Sequence, residues 1–170
     1  MPNKTALVTG ASDGIGAEFI QILASRGYDL ILVARSEDKL NQLAVKVGGQ
    51  FGVNCTVIVA DLSEPNAAQN LFQSIEAKGL DVDFLINNAG LLHNGFFTEL
   101  NLAEQERMIV VNILALTALT HLYANNMASK GGGHILNVAS LAGWMAIPNQ
   151  NVYAATKAYV LAFTQALSNE

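Results

Sequence analysis

Tyr153 and Lys157 stand four positions apart in NVYAATKAYVL, a run whose spacing predicts helix, so phenol and amine fall on one face. Ser140 lies 13 residues before Tyr153, at the end of the apolar run HILNVAS. These residue types suit work on a carbonyl group. A hydroxyl can hold its oxygen, a phenol can donate or accept a proton, and a nearby cation favours the phenolate. A free phenol titrates near pH 10, and lowering it by about three units takes roughly 4 kcal/mol. One unit charge at ~4 Å with an effective dielectric of ~20 supplies on the order of 4 kcal/mol. An isolated Tyr and Lys at this spacing also occur on ordinary helix surfaces, so the elements that carry them decide the reading.

Five short runs rich in Val, Ile and Leu punctuate the chain: KTALVT, DLILVA, CTVIVA, DFLIN and HILNVA. Each is too short for an ordinary helix, and helical periodicity or turn residues follow each one. The intervening helices read as GIGAEFIQILASRG, SEDKLNQLAVKV, SEPNAAQNLFQSIEAK and the long stretch from Leu102 to about Ser129. In the first, Ile15, Phe19, Ile22 and Leu23 form the expected buried stripe. Ser63 is expected to cap the third, with Pro65 in its first turn. Alternating strands and helices imply an α/β fold, a doubly wound parallel sheet of Rossmann type with five strands. No linker or repeat divides residues 1–170, so one domain is expected.

Composition narrows the function classes. Hydrophobic residues make up 51% and charged residues 14%, against about 25% charged in ordinary domains. The net charge of −5 excludes a basic face for a phosphate backbone, so no nucleic-acid partner is expected. Neither a signal peptide nor an uninterrupted apolar run of membrane-spanning length is visible. The solitary Cys55 excludes a disulfide framework and reads as a small buried hydrophobe. The expectation is a soluble cytoplasmic protein without a membrane partner.

ALVTGASDGIGAEF runs from strand to helix through Gly10, Gly14 and Gly16. At such a junction Gly10 lets the chain leave the strand tightly and Gly14 lets backbone approach a pyrophosphate. Gly16 lets the helix pack closely on the sheet. Ser12, Asp13 and Ile15 fall inside the same phosphate-binding turn, whose helix N-terminus offers free N–H groups. At the end of the second strand, Ala34 stands where folds preferring NAD place an acid for the ribose. Arg35 can bind a 2′-phosphate there, or simply open the next helix in solvent. NADP(H) is therefore favoured over NAD(H). Asp61 follows the third strand and can either serve a ligand or cap the following helix.

The chain resembles the short-chain dehydrogenase/reductase family at TGASDGIG, NNAG and the Ser140, Tyr153, Lys157 signature, in order along nearly its whole length. That resemblance implies roles the residues alone do not. Asp61 and Leu62 would contact adenine; Asn88, Ala89 and Gly90 would lie along the cofactor ribose; Asn87 would tie the central sheet together. Asn112 in IVVNILA would join Ser140, Tyr153 and Lys157 as the fourth catalytic residue, holding a water on a proton relay. Lys157 would also bond the nicotinamide ribose. A homo-oligomer through the helices carrying Asn112 and Tyr153 is implied as well.

The same resemblance implies that the family's last two strands are absent from these residues. The fifth strand would then be an exposed apolar edge, and part of the support for the nicotinamide would be missing. A misplacement of about 1 Å can cost about 100-fold in rate. The expected function is an NADP(H)-dependent interconversion of a ketone or aldehyde and an alcohol, with a catalytically idle NADP-binding module as the alternative. A nucleotide-sugar epimerase on a related fold is a third reading, whose glycine spacing differs. Leu141, Trp144, Met145 and Ile147 either border an apolar substrate or only pack. His93, following NNAG, reads as a solvated loop residue with a substrate contact as the alternative, His121 and His134 read as structural, and no His, Cys and carboxylate spacing suggests a metal.

Overall fold

The computed structural model describes residues 3–168. Five strands, β1 (Thr5–Thr9), β2 (Asp29–Ala34), β3 (Cys55–Val59), β4 (Phe84–Asn87) and β5 (His134–Asn137), form one sheet. All pair in parallel, in the order β3-β2-β1-β4-β5. The helices are α1 (Gly14–Ser25), α2 (Glu37–Phe51), α3 (Ala67–Ala77), α4 (Leu102–Ile109), α5 (Leu116–Ser129) and α6 (Asn151–Leu167). The doubly wound Rossmann-type reading therefore holds, with β5 at one edge of the described sheet.

Strand alternation builds two cores. Ala6 and Val8 of β1, with Leu30 and Leu32 of β2, pack against Ile20 and Leu23 of α1 and Leu40 of α2. Leu7, Ile31 and Val33 point to the other face, against Leu71 and Ile75 of α3 and Leu119 and Tyr123 of α5. Strands buried on both faces need the continuous apolar runs seen in the sequence. The strand order reverses between β1 and β4, and in open α/β sheets the crevice beyond the strand ends at that point takes ligands.

Several local expectations change. Of the expected α1 stripe, Leu23 is buried and Phe19 packs against the same core, but Ile15 and Ile22 are exposed, and Gly16, Ile20 and Ala24 complete the buried face. The close glycine contact rotates the helix so that this face meets the sheet. Ser63 does not cap α3, which starts at Ala67 after Asn66 in the left-handed region (φ 57°). Pro65 thus lies outside the helix, and Ser63 turns back to Asp61. Helix α2 runs past Val47 to Phe51, ended by Gly52 at φ 70°. Cys55 is only half-buried.

The stretch from Leu102 to Ser129 is not one regular helix. Between α4 and α5, residues Val110–Ala115 form a π-helical turn containing Asn112, a form that concentrates at functional positions. By length and composition Leu102–Ser129 is apolar enough to cross a membrane, although polar residues interrupt it. In this fold its Leu119, Tyr123 and Met127 enter the core beside the sheet.

Candidate active site

The ends of β1 and β4 are stitched together by one hydroxyl. Thr9 Oγ1 accepts from the backbone N–H groups of Asn88 (3.1 Å) and Ala89 (3.0 Å) and donates to Ile86 O (3.4 Å). The Asn88 side chain then donates to the carbonyls of Thr9 (3.0 Å) and Gly10 (3.1 Å), bracing the glycine turn. Gly10 has φ +65°, and a Cβ there would meet Ala89 Cα at 2.9 Å. A Cβ on Gly16 would collide with Gly10 O, so only glycine lets α1 approach this closely. A Cβ on Gly14 would meet nothing within 4 Å, because Gly14 faces an open cleft.

That cleft, about 490 Å³, is lined by Gly10, Ser12, Asp13, Gly14 and Ile15 on one side and Asn88, Ala89 and Gly90 on another. Arg35, Asp61 and Leu62 close one end. The spacing of the sequence motifs thus gathers these residues on one sheet edge, while Gly16 stands behind them at the packing contact. Asp13 leaves the α1 N-terminus without a side-chain cap and pairs instead with Lys39 at 2.9 Å. The first N–H groups of α1 therefore have no side-chain acceptor at their cap.

At the Arg35 end, Asp61 does not cap a helix. Its Oδ1 accepts from Ser63 N (2.9 Å) and Ser63 Oγ (2.6 Å), and its Oδ2 accepts from Arg107 Nη2 (2.6 Å). Arg107 Nε also donates to Ser63 Oγ (2.8 Å), closing a ring of contacts between α4 and the β3–α3 turn. Arg35 Nη1 stands 3.9 Å from the same Oδ2. Burial pushes the Asp61 carboxyl up, but the Ser63 hydrogen bonds, then Arg107 and Arg35, outweigh it and hold the group below its ordinary value.

The other end is buried. Asn112, 1% exposed, accepts from Leu91 N at 2.8 Å and donates to Leu91 O and to Thr156 Oγ1, both at 3.0 Å. Thr156 passes the link to Tyr153 O at 2.7 Å. Both Asn112 amide hydrogens are therefore committed to protein partners, leaving acceptor capacity on Oδ1. Lys157, 5% exposed, donates to Val138 O at 2.8 Å, and burial lowers its pKa. Its Nζ lies 5.8 Å from the Tyr153 ring centroid. A Cβ on Gly90 would come within 3.6 Å of that Nζ. Ser140 caps the 3₁₀ turn Leu141–Gly143, its Oγ accepting from Ala142 N at 3.2 Å, which leaves its O–H to donate elsewhere.

Thr9, Thr156, Lys39 and Arg107 were not singled out by sequence. Thr156 carried a usable signal, three positions after Tyr153 on the same helix; Arg107 carried none, since only folding brings it to Asp61. Asn87 does tie the sheet, donating to Thr120 Oγ1 and Asn137 Oδ1. Beyond Ser140, Leu141, Trp144 and Met145 are exposed. Trp144, Met145, Ile147 and the α6 residues Ala154, Ala155 and Ala158 line an apolar cavity of about 570 Å³. His93 lies 3.6 Å from Glu104, His121 meets Asn125 and His134 packs edge-on to Phe84. Among the described residues no His, Cys, Asp and Glu group suits a metal ion.

Comparison with known proteins agrees with this fold. The chain is 36% identical to a very-long-chain 3-oxoacyl-CoA reductase of Anas platyrhynchos, covering 97% of this chain and 54% of that protein. It is 34% identical to a 7beta-hydroxysteroid dehydrogenase of Collinsella aerofaciens, covering 96% of this chain and 62% of the relative. The chain thus spans about half to two thirds of these relatives. Its fold superposes on a short-chain dehydrogenase from Sphingobium yanoikuyae in complex with NADPH at a TM-score of 0.90 and 36% identity, over 96% of this chain and 64% of that one. The profile of the short chain dehydrogenases matches residues 4–170. A match over that span leaves one placement: this chain belongs to the short chain dehydrogenase family.

Proposed function

We propose that this protein is an NADP(H)-dependent oxidoreductase interconverting a ketone or aldehyde and an alcohol. The observation that carries this reading is the position of Lys157, buried between Val138 and Gly90 with its ammonium beside the Tyr153 ring, at the sheet edge that also holds the glycine turn. The cleft suits a dinucleotide. The open space over Gly14 and the uncapped start of α1 fit a pyrophosphate, and Gly90 leaves room for a ribose beside Lys157. Ala34 and Arg35 favour a cofactor with a 2′-phosphate. Bound NADPH supplies the hydride, or NADP+ accepts it.

The protein's own residues then handle the oxygen and its proton. In the reduction direction Ser140 O–H donates to the carbonyl oxygen, and Tyr153 gives that oxygen a proton as alkoxide character develops. Lys157 favours the phenolate that Tyr153 leaves behind. Asn112 and Thr156 fix the start of α6 against the loop after β4, so Tyr153 is held at its backbone. The apolar cavity at Trp144 and Met145 favours a carbonyl on a largely apolar body. Ile109, Leu114 and Tyr159, exposed along α4, the π turn and α6, support a homo-oligomer, which size-exclusion chromatography would test.

Tyr153→Phe tests the chemistry directly. NADPH binding should persist while carbonyl turnover falls by about 100-fold or more. Retained turnover in that variant would assign the acid to another group. Binding of NADPH by the unaltered protein, with no turnover across a broad carbonyl panel, would favour an idle nucleotide-binding module.

A further inference from the structure

Around the cleft end beside Arg35 stand three cations, Arg35, Lys39 and, behind the lining, Arg107, with two carboxylates, Asp13 and Asp61. Lys39 is paired with Asp13, and Arg107 with Asp61, each by a hydrogen bond under 3 Å. Arg35 is the one left over: its 3.9 Å approach to Asp61 Oδ2 is an ion pair without a hydrogen bond. Arg107 itself is held at two points, by Asp61 Oδ2 and Ser63 Oγ, in the side-by-side manner an arginine fork permits. It is also absent from the cleft lining, so its effect on a ligand must pass through Asp61.

We infer that Arg107 is a positioning residue for cofactor choice, occupying the Asp61 carboxylate so that Arg35 stays available to a phosphate monoester on the ligand's ribose. This inference rests on the NADP(H) reading above. Without Arg107, the Asp61 carboxylate would act against a 2′-phosphate twice. It would repel the phosphate, and it would draw Arg35 from 3.9 Å into a full pair. A ligand lacking the 2′-phosphate would feel neither effect, so the consequence falls on discrimination rather than on binding in general.

The test is a calorimetric titration with NADPH and with NADH, reading the ratio of the two dissociation constants. Unaltered protein, Arg107→Gln, Asp61→Asn and the double variant form a cycle. Arg107→Gln should lower the preference for NADPH by about five- to tenfold, through weaker NADPH binding, with NADH changed by less than about twofold. Asp61→Asn alone should keep or raise the preference for NADPH and never lower it, since it removes a negative charge and leaves the Arg107 cation unopposed. In the Arg107→Gln background the same change should restore the ratio to within about threefold of the unaltered protein. Arg107→Met, which keeps the alkyl stem, carries the same expectation and guards against a folding defect in the glutamine variant.

An equal loss for both cofactors, an unchanged ratio, or no restoration by Asp61→Asn would overturn the inference. Absence of NADPH preference in the unaltered protein would instead overturn the reading of Arg35, so the two failures are distinguishable.

Discussion

The two ends of the cleft are held by different physics. Around Asp61 the grip is ionic and wet: the Arg35 and Arg107 side chains are 57% and 43% exposed. Around Asn112 the polar groups are out of water, with Asn112 and Thr156 each 1% exposed and Lys157 5%. Exposed ion pairs are screened by salt and stabilise by well under about 1 kcal/mol. Buried polar groups are costly to leave unpaired, so a network of them admits one geometry. One end can therefore adapt to a ligand's charge, while the other holds Tyr153 and Lys157 in the fixed geometry that the proposed proton transfer requires.

The largest effect belongs to Lys157. Lys157→Met should reduce turnover by about 100-fold or more, by removing the charge that favours the phenolate. Its effect on stability should have the opposite sign. Burial holds the folded pKa of Lys157 below the ordinary lysine value of 10.5. Below that lowered value the group is protonated in both states, and the cost of burying its charge is constant. Between the lowered value and 10.5 the unfolded chain binds the proton that the folded chain has released, so stability rises with pH. The methionine variant should be more stable at pH 7, with the gap closing as pH climbs toward 10.5. Denaturant melts at pH 7 and pH 10 would decide; a variant less stable at pH 7 would mean that the Val138 bond outweighs the burial cost.

Thr156→Val, a nearly isosteric change, probes the same end more gently. It strands one Asn112 amide hydrogen and removes the link to Tyr153 O. A cost of about 1–3 kcal/mol is expected, with turnover down about tenfold through a looser Tyr153. Thr156→Ser keeps the hydroxyl and should recover most of both. A valine variant within about 0.5 kcal/mol of the parent would show that the network adds little.

The contrast also explains what the sequence could disclose. The strands were legible because a doubly covered parallel sheet needs continuous apolar runs, and the glycine turn because its packing contact excludes any Cβ at Gly16. Tyr153, Lys157 and Asn112 were legible as residue types in a fixed order. Illegible were the partners chosen by tertiary approach. Arg107 reaches Asp61 from 46 positions away. Thr156 takes a hydrogen bond from Asn112, 44 positions distant. The buried face of α1 is only half legible: Phe19 and Leu23 lie on it as the helical stripe predicts, whereas Ile15 and Ile22 fit the same stripe yet face solvent, and the glycine contact brings Ile20 inward. Ser63 looked like a cap because composition cannot show that Asp61 claims it first.

The smallest effect should come from the exposed pair of Lys39 and Asp13, whose side chains are 57% and 70% exposed. Lys39→Met should change folding stability by less than about 0.5 kcal/mol. It nevertheless leaves Asp13 unpaired at the rim of the glycine turn, where the proposed cofactor brings its phosphates. NADPH binding should weaken by about threefold near 0.05 M salt, since the Debye length then exceeds 10 Å and the bare carboxylate is felt across the turn. At 1 M salt that length is about 3 Å, and the variant should bind like the parent. A Lys39 effect that persists at 1 M would mean direct phosphate contact by its ammonium, and this end of the cleft would then resemble the buried end more than the exposures suggest.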